Sequence, residues 1–271
     1  MEAINEFYLE DGNLQSIENY TEDTKEKERI IYEVLRVIDG TPLFLEEHID
    51  RMKNTFDHMQ KSFMYTYEKI EEFTTSLIKA NKIKEGNIKI TFDIKTDTMK
   101  VYSIKHSYPT KEMYSNGVET ILYYGERVNP NAKVVDSDFR KKVSEEIESS
   151  KVFEAILVDN QGYITEGSKS NIFMIKDNTL ITSKTERVLP GVTRQKILEI
   201  ARKNNINIQE KNVLDKELNK FQAMFISGTS PKILPISKIG GIDMDINNEI
   251  ISILKIKFDE LIKEYIENKK I

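Results

Sequence analysis

Apolar and polar positions in the first third of the chain change from a strand period to a helix period. The stretch RIIYEVLRVIDGTPLFLEEH, residues 29–48, holds two apolar runs joined across Asp39-Gly40, a dipeptide typical of two-residue hairpin turns. In the overlapping stretch 43–60, apolar residues recur at helical spacing, which predicts a helix directly after the hairpin. The other elements predicted for this part are a helix near 66–81 and paired strands at 87–94 and 99–106.

The second half of the chain also mixes strands and helices. The pattern breaks around residues 109–117, which places a boundary between a small N-terminal α/β domain, residues 1–115, and a larger C-terminal domain, residues 116–271. The mixture of elements in both halves predicts an α+β (mixed α/β) fold. The elements predicted for the second half are, in order, a strand at 118–125, a helix at about 137–150, a strand–turn–strand at 153–167, a hairpin across Asp177-Asn178, a helix at 192–204, a strand ending in a small-residue loop at 221–236, and an amphipathic helix at about 246–268.

Two helices of the second half have apolar faces that we expect to be buried. The helix at 137–150 has Asp136 or Ser137 as a candidate N-terminal cap. The residues expected to be buried are Phe139, Val143 and Ile147 in that helix, and Ile250, Leu254, Phe258, Leu261 and Tyr265 in the last helix.

Composition changes this picture mainly by exclusion. Hydrophobic residues make up 39% and charged residues 31% of the 271 positions, and the net charge is −5. Basic residues are scattered among acidic ones, so no nucleic-acid partner is expected. The absence of cysteine excludes thiolate metal sites, and the three histidines lack a metal-binding spacing, so no metal is expected. With no secretory signal and no apolar run near the ~20 residues of a membrane helix, we expect a cytoplasmic protein without a membrane partner.

Three loops of small or polar residues are candidates for anion binding. They are EGSKSN (166–171), LPGVTR (189–194) and SGTSP (227–231), each next to an apolar strand or at the start of a helix. Backbone N–H groups in such loops and at helix N-termini bind anions, and the hydroxyls of Thr193 and Thr229 add donors. Each loop taken alone is more often a simple turn of the chain.

Three charged side chains have both a functional and a structural interpretation. Arg51, on the predicted helix 43–60, either reaches a phosphate or is a solvated arginine paired with Glu47. Glu166, between a strand and Gly167, is either buried and functional or caps a turn. Lys133, in RVNPNAKVVDSDFRKK, is either catalytic or an ordinary surface lysine. The residues alone leave these alternatives open.

Read together, the segments resemble the class IV aminotransferases, which are fold-type IV pyridoxal-phosphate enzymes. The resemblance covers residues 30 to about 240, and the strongest match is EAIL followed by the pattern G-x-x-T-E-G-x-x-S-N-x-F. The family includes branched-chain and D-amino-acid aminotransferases and aminodeoxychorismate lyase. The matching stretches are LEEHIDRM, the lysine passage, FEAILVDNQGYITEGSKSNIFMIKD, VLPGVTRQKI and FISGTSPKILPI.

The resemblance implies a role for each candidate residue. Lys133 would hold pyridoxal 5′-phosphate covalently and later act as the base that moves the substrate proton. Glu166 would face the pyridine nitrogen of the cofactor. The residues implied to bind the rest of the cofactor are Arg51, Ser170, Asn171, Leu189, Val192, Thr193, Gly228 and Thr229.

Substrate contacts are predicted at Tyr32, Arg127 and Ser230. D-Amino-acid aminotransferases bind the substrate carboxylate with an arginine and a histidine, but the corresponding strands here contain no arginine. Lys89 and His106 are the nearest substitutes, and Arg127, just before the lysine passage, is the predicted carboxylate anchor.

The function implied is transfer of an amino group between an amino acid and a 2-oxo acid. A lyase of the aminodeoxychorismate-lyase type and a non-catalytic binding protein of the same fold are the alternatives. The resemblance further implies two domains with the cofactor in the cleft between them, Lys133 carried by the larger domain, and a homodimer.

Overall fold

The computed structural model describes residues 1–24, 26 and 29–269, and the chain divides into two compact units. The first unit contains residues 1–107, residues 132–137 and the chain from Ile262 onward. The second unit contains residues 108–131 and 138–261. The predicted boundary at 115/116 lies near the first of these breaks. The prediction places residues 132–137, with Lys133, in the larger C-terminal domain, whereas they lie in the first unit.

The first unit is built on an antiparallel sheet with two helices packed against one face. The sheet order is β2-β1-β6-β5-β3-β4. Alternate strand residues such as Ile31, Leu35, Ile88 and Ile90 share one core with the apolar faces of both helices. The elements are β1 (Ala3–Glu10), β2 (Asn13–Ser16), β3 (Ile30–Ile38), β4 (Thr41–Pro42), α1 (Leu45–His58), α2 (Tyr67–Ala80), β5 (Glu85–Asp93) and β6 (Thr98–Ile104).

The predicted elements of the first unit are confirmed. Strands β3 and β4 pair through Val37 and Ile38, and the two turn residues Asp39 and Gly40 have positive φ values of 50° and 75°. This is the backbone that a two-residue hairpin with a right-handed strand twist requires. Strands β1 and β2 were not predicted, because the segment AINEFYLE has no sustained period-two alternation.

The second unit is built on a larger mixed sheet. In the described residues its order is β12-β11-β10-β14-β15-β7-β8-β9-β13, with β16 paired to β15. Strand β7 runs parallel to both β15 and β8. The elements are α3 (Lys111–Asn116), β7 (Val118–Tyr124), α4 (Ser137–Ser150), β8 (Glu154–Val158), β9 (Tyr163–Gly167), β10 (Asn171–Lys176), β11 (Thr179–Thr182), α5 (Val192–Lys203), β12 (Asn207–Glu210), β13 (Val213–Leu214), β14 (Ala223–Gly228), β15 (Lys232–Ile239), β16 (Ile242–Asp243) and α6 (Glu249–Lys269), whose residues from Ile262 onward belong to the first unit.

The two predicted helix faces of the second half are confirmed in part. Helix α4 buries Val143 as predicted, but Phe139 and Ile147 are only half-buried and pack beside it. Helix α6 buries Ile250, Leu254 and Phe258 as predicted, but Leu261 and Tyr265 are only half-buried. The buried positions of its last turns are Ile262 and Ile266, because the four-residue spacing of the buried face continues to the end of the helix. No helix in the ranges that the structure describes is long and apolar enough to cross a membrane.

Candidate functional site

The backbone of Lys133 is fixed by strand β3 and helix α1. Its N–H donates to Thr55 Oγ1 at 3.3 Å, and its carbonyl oxygen accepts from the Tyr32 N–H at 3.1 Å. The next residue, Val134, forms a bridge with Ile31 and, like Ala132, is buried in the core of the first unit. Burial of these two apolar neighbours explains why the lysine segment belongs to the first unit rather than to the larger one.

The side chain of Lys133 lies over an aromatic ring and is half-buried. Its Nζ is 4.8 Å from the centroid of the buried Tyr32 ring, a distance at which an ammonium group interacts with the ring quadrupole. The Nζ of Lys89 is 5.3 Å from the same centroid, and Lys89 also binds both carboxylate oxygens of Glu2, at 2.7 and 2.8 Å. Lys133 is thus held over an aromatic ring within the first unit, and its catalytic role stays a prediction.

Arg51 is buried and paired with a residue that the sequence did not suggest. Its Nε donates to Glu33 Oε1 at 2.8 Å, and its Nη2 donates to Glu33 Oε2 at 2.5 Å. The alternative of a solvated arginine paired with Glu47 is wrong, because Arg51 is only 5% exposed and its carboxylate partner comes from strand β3. His48, one turn earlier on α1, places its Nδ1 at 2.7 Å from Glu33 Oε2.

The charges of these three side chains are coupled. Burial by itself raises the pKa of the Glu33 carboxyl. The charge and hydrogen bonds of Arg51, together with His48, outweigh burial and lower this pKa to about 2. Burial lowers the pKa of His48 below its usual value, and this exceeds the opposite effect of Glu33. At neutral pH Glu33 is therefore an anion, and His48 is neutral with its Nδ1–H donated to that anion.

In the second unit, Glu166 is buried at the end of β9 and accepts hydrogen bonds from Arg127 and Leu189. Arg127 Nη1 donates to its Oε1 at 3.2 Å, and the backbone N–H of Leu189 donates to its Oε2 at 3.0 Å. The Nη1 of Arg127 also donates to the carbonyl oxygen of Pro130 at 3.3 Å. Glu166 is thus a fixed buried carboxylate and not only the cap of a turn.

The N-terminus of α5 lies next to the residues that contact Glu166. Asn171 Nδ2 donates to the Leu189 carbonyl oxygen at 2.9 Å, and a methyl group on Gly191 would overlap Asn171 Oδ1. Gly191 provides no side-chain cap, and no described residue accepts a hydrogen bond from the N–H groups of Val192 and Thr193. Both residues are buried, at 3% and 6% exposure. This helix N-terminus therefore has donors ready for an anion.

Ser170 belongs to a loop that is organised by Glu154, a residue that the sequence analysis did not single out. Glu154 Oε2 accepts from Ser170 Oγ at 3.0 Å, and its Oε1 accepts from the Lys169 N–H at 2.7 Å and from Ser168 Oγ at 3.2 Å. Burial raises the pKa of Glu154, although these donors act in the opposite direction. The signal was a lone acidic residue at the start of the apolar run EAILV.

The loop 227–231 connects β14 to β15. Gly228 pairs with Lys232, and Tyr114 donates its hydroxyl to the Pro231 carbonyl oxygen at 3.0 Å, so the backbone of the loop is held at both sides. Thr229 and Ser230 lie between these points and are half-buried. Within the part of the chain that the structure describes, no cluster of three or more histidine, aspartate or glutamate side chains is arranged to hold a metal ion.

Comparison with known proteins identifies the family. The family model described as amino-transferase class IV matches residues 30–239. The chain belongs to this family. The family predicted from the five ordered motifs is therefore confirmed. Class IV aminotransferases use pyridoxal phosphate and transfer amino groups between amino acids and 2-oxo acids.

Individual relatives of this class IV aminotransferase include enzymes named for different substrates. The D-alanine aminotransferase of Bacillus licheniformis is 26% identical over 225 residues, which are 78% of this chain and 79% of that protein. The probable branched-chain-amino-acid aminotransferase of Rickettsia bellii (strain RML369-C) is 26% identical over 248 residues, 86% of this chain and 84% of that protein.

The fold is also that of solved enzymes. The branched-chain aminotransferase of the thermophilic archaeon Thermoproteus uzoniensis, solved with norvaline, has a TM-score of 0.86 at 20% identity. The match covers 95% of this chain and 95% of that one. The predicted α+β, fold-type IV class is confirmed.

The donors described above fit the chemistry of pyridoxal phosphate. Lys133 offers an amine for the aldehyde, and Glu166 offers a carboxylate for the pyridine nitrogen. In the second unit, the N–H groups at the start of α5 suit an anion, and in the first unit the guanidinium of Arg51 is a group that binds phosphate well. Gly191 leaves no space for a side chain between Asn171 and this helix N-terminus.

Proposed function

We propose that the protein binds pyridoxal 5′-phosphate through Lys133 and uses it to transfer an amino group from an amino acid to a 2-oxo acid. The observation that carries this proposal is the placement of Lys133. Its backbone is hydrogen-bonded on both sides, to Thr55 and to Tyr32, and its amino group is half-buried above the Tyr32 ring. Half-burial of the amino group over this ring and the two backbone hydrogen bonds hold Lys133 in one place, as a lysine that carries a cofactor requires.

When bound, the cofactor supplies an aldehyde that condenses with amines and a ring that withdraws electrons from the substrate Cα. Lys133 would carry it in the resting enzyme, and its released amino group would take the proton from Cα and return it to the neighbouring cofactor carbon. The ring of Tyr32 below the amino group restricts where Nζ can move. Tyr32 is accordingly proposed to contact the substrate as well.

Glu166 is proposed to hold a proton on the pyridine nitrogen. Hydrogen bonds from Arg127 and from the Leu189 N–H hold the carboxylate in its orientation. Arg127 then has a role beside the predicted one, since its Nη1 is already engaged by Glu166 and Pro130. The predicted contact of Arg127 with a substrate carboxylate and the predicted substrate contact of Ser230 stay predictions.

The phosphate is proposed to be bound by Arg51, by the N–H groups of Val192 and Thr193 with the Thr193 hydroxyl, and by the loop of Gly228 and Thr229. Each of these supplies a different donor type: a guanidinium fork, a helix N-terminus and a small-residue turn. Ser170, Asn171 and Leu189 are proposed to shape the surroundings of the ring. Asn171 and Leu189 already bind each other, which supports a joint role.

The test is reduction of the protein with borohydride after addition of pyridoxal phosphate, followed by peptide mapping. We expect a visible absorption band from the bound cofactor and a pyridoxyl label on Lys133. Lys133→Ala should lose both signals. Lys141→Ala is the control, because the side chain of Lys141 is 78% exposed and makes only a weak pair with Glu145, at 3.9 Å.

Labelling scattered over surface lysines, or a band unchanged in Lys133→Ala, would contradict the proposal. Addition of amino donors then tests the reaction itself. Transamination leaves the cofactor as pyridoxamine phosphate, whereas a lyase releases its product without aminating the cofactor. We also propose a homodimer, on the family resemblance, and sedimentation velocity that shows a monomer at working concentration would contradict it.

A further inference from the structure

Glu33 is a buried anion that no step of the proposed function uses. It lies on β3 with 1% exposure and accepts hydrogen bonds from the Nε and Nη2 of Arg51 and from the Nδ1 of His48. The third guanidinium nitrogen, Nη1, has no acceptor among the residues that the structure describes. One edge of Arg51 is therefore occupied by Glu33, and the other edge is left for a further anion.

We propose that Glu33 is a positioning residue that orients Arg51 so that its Nη1 edge binds the phosphate of the cofactor. The inference rests on the proposed function, because it requires that Arg51 binds this phosphate. His48 completes the arrangement by donating its Nδ1–H to the same carboxylate, which limits rotation of the Glu33 side chain.

Arginine needs such support because its side chain is long and flexible. Fixing it costs conformational entropy, and a planar guanidinium binds phosphate well only when its N–H bonds point at the oxygens. Two parallel hydrogen bonds from Arg51 to Glu33 fix the plane of the guanidinium before the phosphate arrives. The conformational entropy of the Arg51 side chain is then lost when the protein folds and not when the phosphate binds.

The same strand and helix also fix Lys133, so both groups share one frame. Tyr32, the neighbour of Glu33 on β3, donates its N–H to the Lys133 carbonyl oxygen. On α1, Thr55 donates its hydroxyl to the Arg51 carbonyl oxygen at 3.1 Å and accepts from the Lys133 N–H at 3.3 Å. The backbones of Lys133 and Arg51 are therefore linked through Thr55 within the first unit.

Considered only as a charge, Glu33 should weaken phosphate binding by Arg51, the opposite of the effect proposed here. A carboxylate beside Arg51 cancels its charge and repels a phosphate dianion. If Glu33 acted only as a charge, its removal would strengthen phosphate binding. If Glu33 orients Arg51, its removal weakens phosphate binding even though the surroundings become more positive.

The experiment compares pyridoxal phosphate with pyridoxal, which lacks the phosphate, by spectroscopic titration of the apoprotein. Glu33→Gln should weaken binding of pyridoxal phosphate by about tenfold or more, the effect of losing a charge-assisted hydrogen bond. Binding of pyridoxal should stay within about twofold, because Glu33 does not act on the ring. Asp50→Asn is the control, since it removes a carboxylate from the same helix as Arg51, at an exposed position next to it in sequence.

Several outcomes would overturn the proposal. Tighter binding of pyridoxal phosphate by Glu33→Gln would show that Glu33 is only a counter-charge. Equal weakening of both compounds would show a general structural role. If Glu33→Gln does not fold, Glu33→Asp keeps the charge but shortens the reach by one methylene, and the same selective loss is expected. If the unaltered protein binds neither compound at Lys133, the proposed function itself fails. If it binds both at Lys133 with equal affinity, this inference and the proposed phosphate contacts fail together, while the proposed role of Lys133 stands.

Discussion

A buried arginine and its carboxylate depend on each other, and the Glu33–Arg51 pair shows how strongly. The side chains are 1% and 6% exposed, so neither charge is hydrated. Removing one partner leaves the other charge buried without compensation, which is far more costly than removing both. The first unit contains a second bidentate pair, between Arg29 and Asp93. The Nε and Nη2 of Arg29 donate to the Asp93 carboxylate at 2.8 and 2.6 Å, but the side chains of Arg29 and Asp93 are 19% and 15% exposed.

Arg51→Met is expected to lower the free energy of unfolding by roughly 3–5 kcal/mol, the usual cost of an orphaned buried charge. Adding Glu33→Gln to this variant should restore a large part of the loss, because the uncompensated anion is gone. Arg29→Met, the matched control, should cost less than about 1 kcal/mol because water reaches Asp93. Urea unfolding of the three variants measures these differences. Equal losses for Arg51→Met and Arg29→Met would contradict the role given to burial.

Among the helices, α5 is distinguished by the way it begins. Gly191 precedes it with φ −61° and ψ 136°, a conformation that any residue can adopt, so the glycine is not required by the backbone. It is required by space, because a methyl group at this position would overlap the Asn171 amide oxygen. Asn171 in turn holds the Leu189 carbonyl oxygen, and the Leu189 N–H holds Glu166. A side chain added at Gly191 should therefore shift Asn171 and Leu189, and with them the hydrogen bond that Leu189 donates to Glu166.

Gly191→Ala is expected to lower the free energy of unfolding by about 1–3 kcal/mol, as overpacking commonly does, and to weaken cofactor binding. Asn171→Ala combined with Gly191→Ala removes the overlapping oxygen and should recover much of the stability. The affinity for pyridoxal phosphate should not recover, because the hydrogen bond to Leu189 is lost. Thermal unfolding and spectroscopic titration measure the two effects. Full recovery of both in the double variant would exclude the proposed connection through Leu189.

Most elements could be predicted from the sequence because local chemistry fixes them. Asp39-Gly40 and Asp177-Asn178 supply the positive φ values that two-residue hairpins need, and helices such as α1 carry a clear apolar period. Strands such as β2 and β13 could not be predicted, since they are short and gain their partners only in the folded sheet.

Contacts between side chains that are distant in sequence could not be predicted either. Glu33 and Arg51 are 18 positions apart and meet only because α1 packs on β3, so the sequence offered Glu47 as a nearer partner. Lys133 and Thr55 are 78 positions apart. The roles of Lys133, Arg51 and Glu166 came from the family resemblance, whereas Glu154 and Glu33 needed the fold to be noticed.

Over the whole molecule, buried acids of the two units, Glu33 and Glu154, have pKa shifts in opposite directions. In the first unit, burial by itself raises the pKa values of Glu33 and Asp93. Arg51 and Arg29 outweigh burial, so that both pKa values lie below the ordinary range. A carboxyl with a lowered pKa in the folded state stabilises the fold above its unfolded pKa, and this contribution is lost as the pH falls toward the folded pKa. In the second unit, burial raises the pKa of the exposed Glu210 but hydrogen bonds from Arg194 and Thr185 outweigh it and lower the pKa, whereas burial raises the pKa of the buried Glu154. Its contribution has the opposite sign: it is complete below the unfolded pKa and is lost as the pH rises.

We therefore expect the first unit to lose its structure at a higher pH than the second when the protein is acidified from about pH 5 to pH 2. Pulsed hydrogen exchange with mass spectrometry follows strands β5 and β14 separately, and β5 should lose protection first. In Glu33→Gln the loss in β5 should depend less steeply on pH, because one titrating carboxyl has been removed. Earlier loss of protection in β14, or an unchanged slope in this variant, would contradict the assignment of acid sensitivity to the Glu33–Arg51 pair.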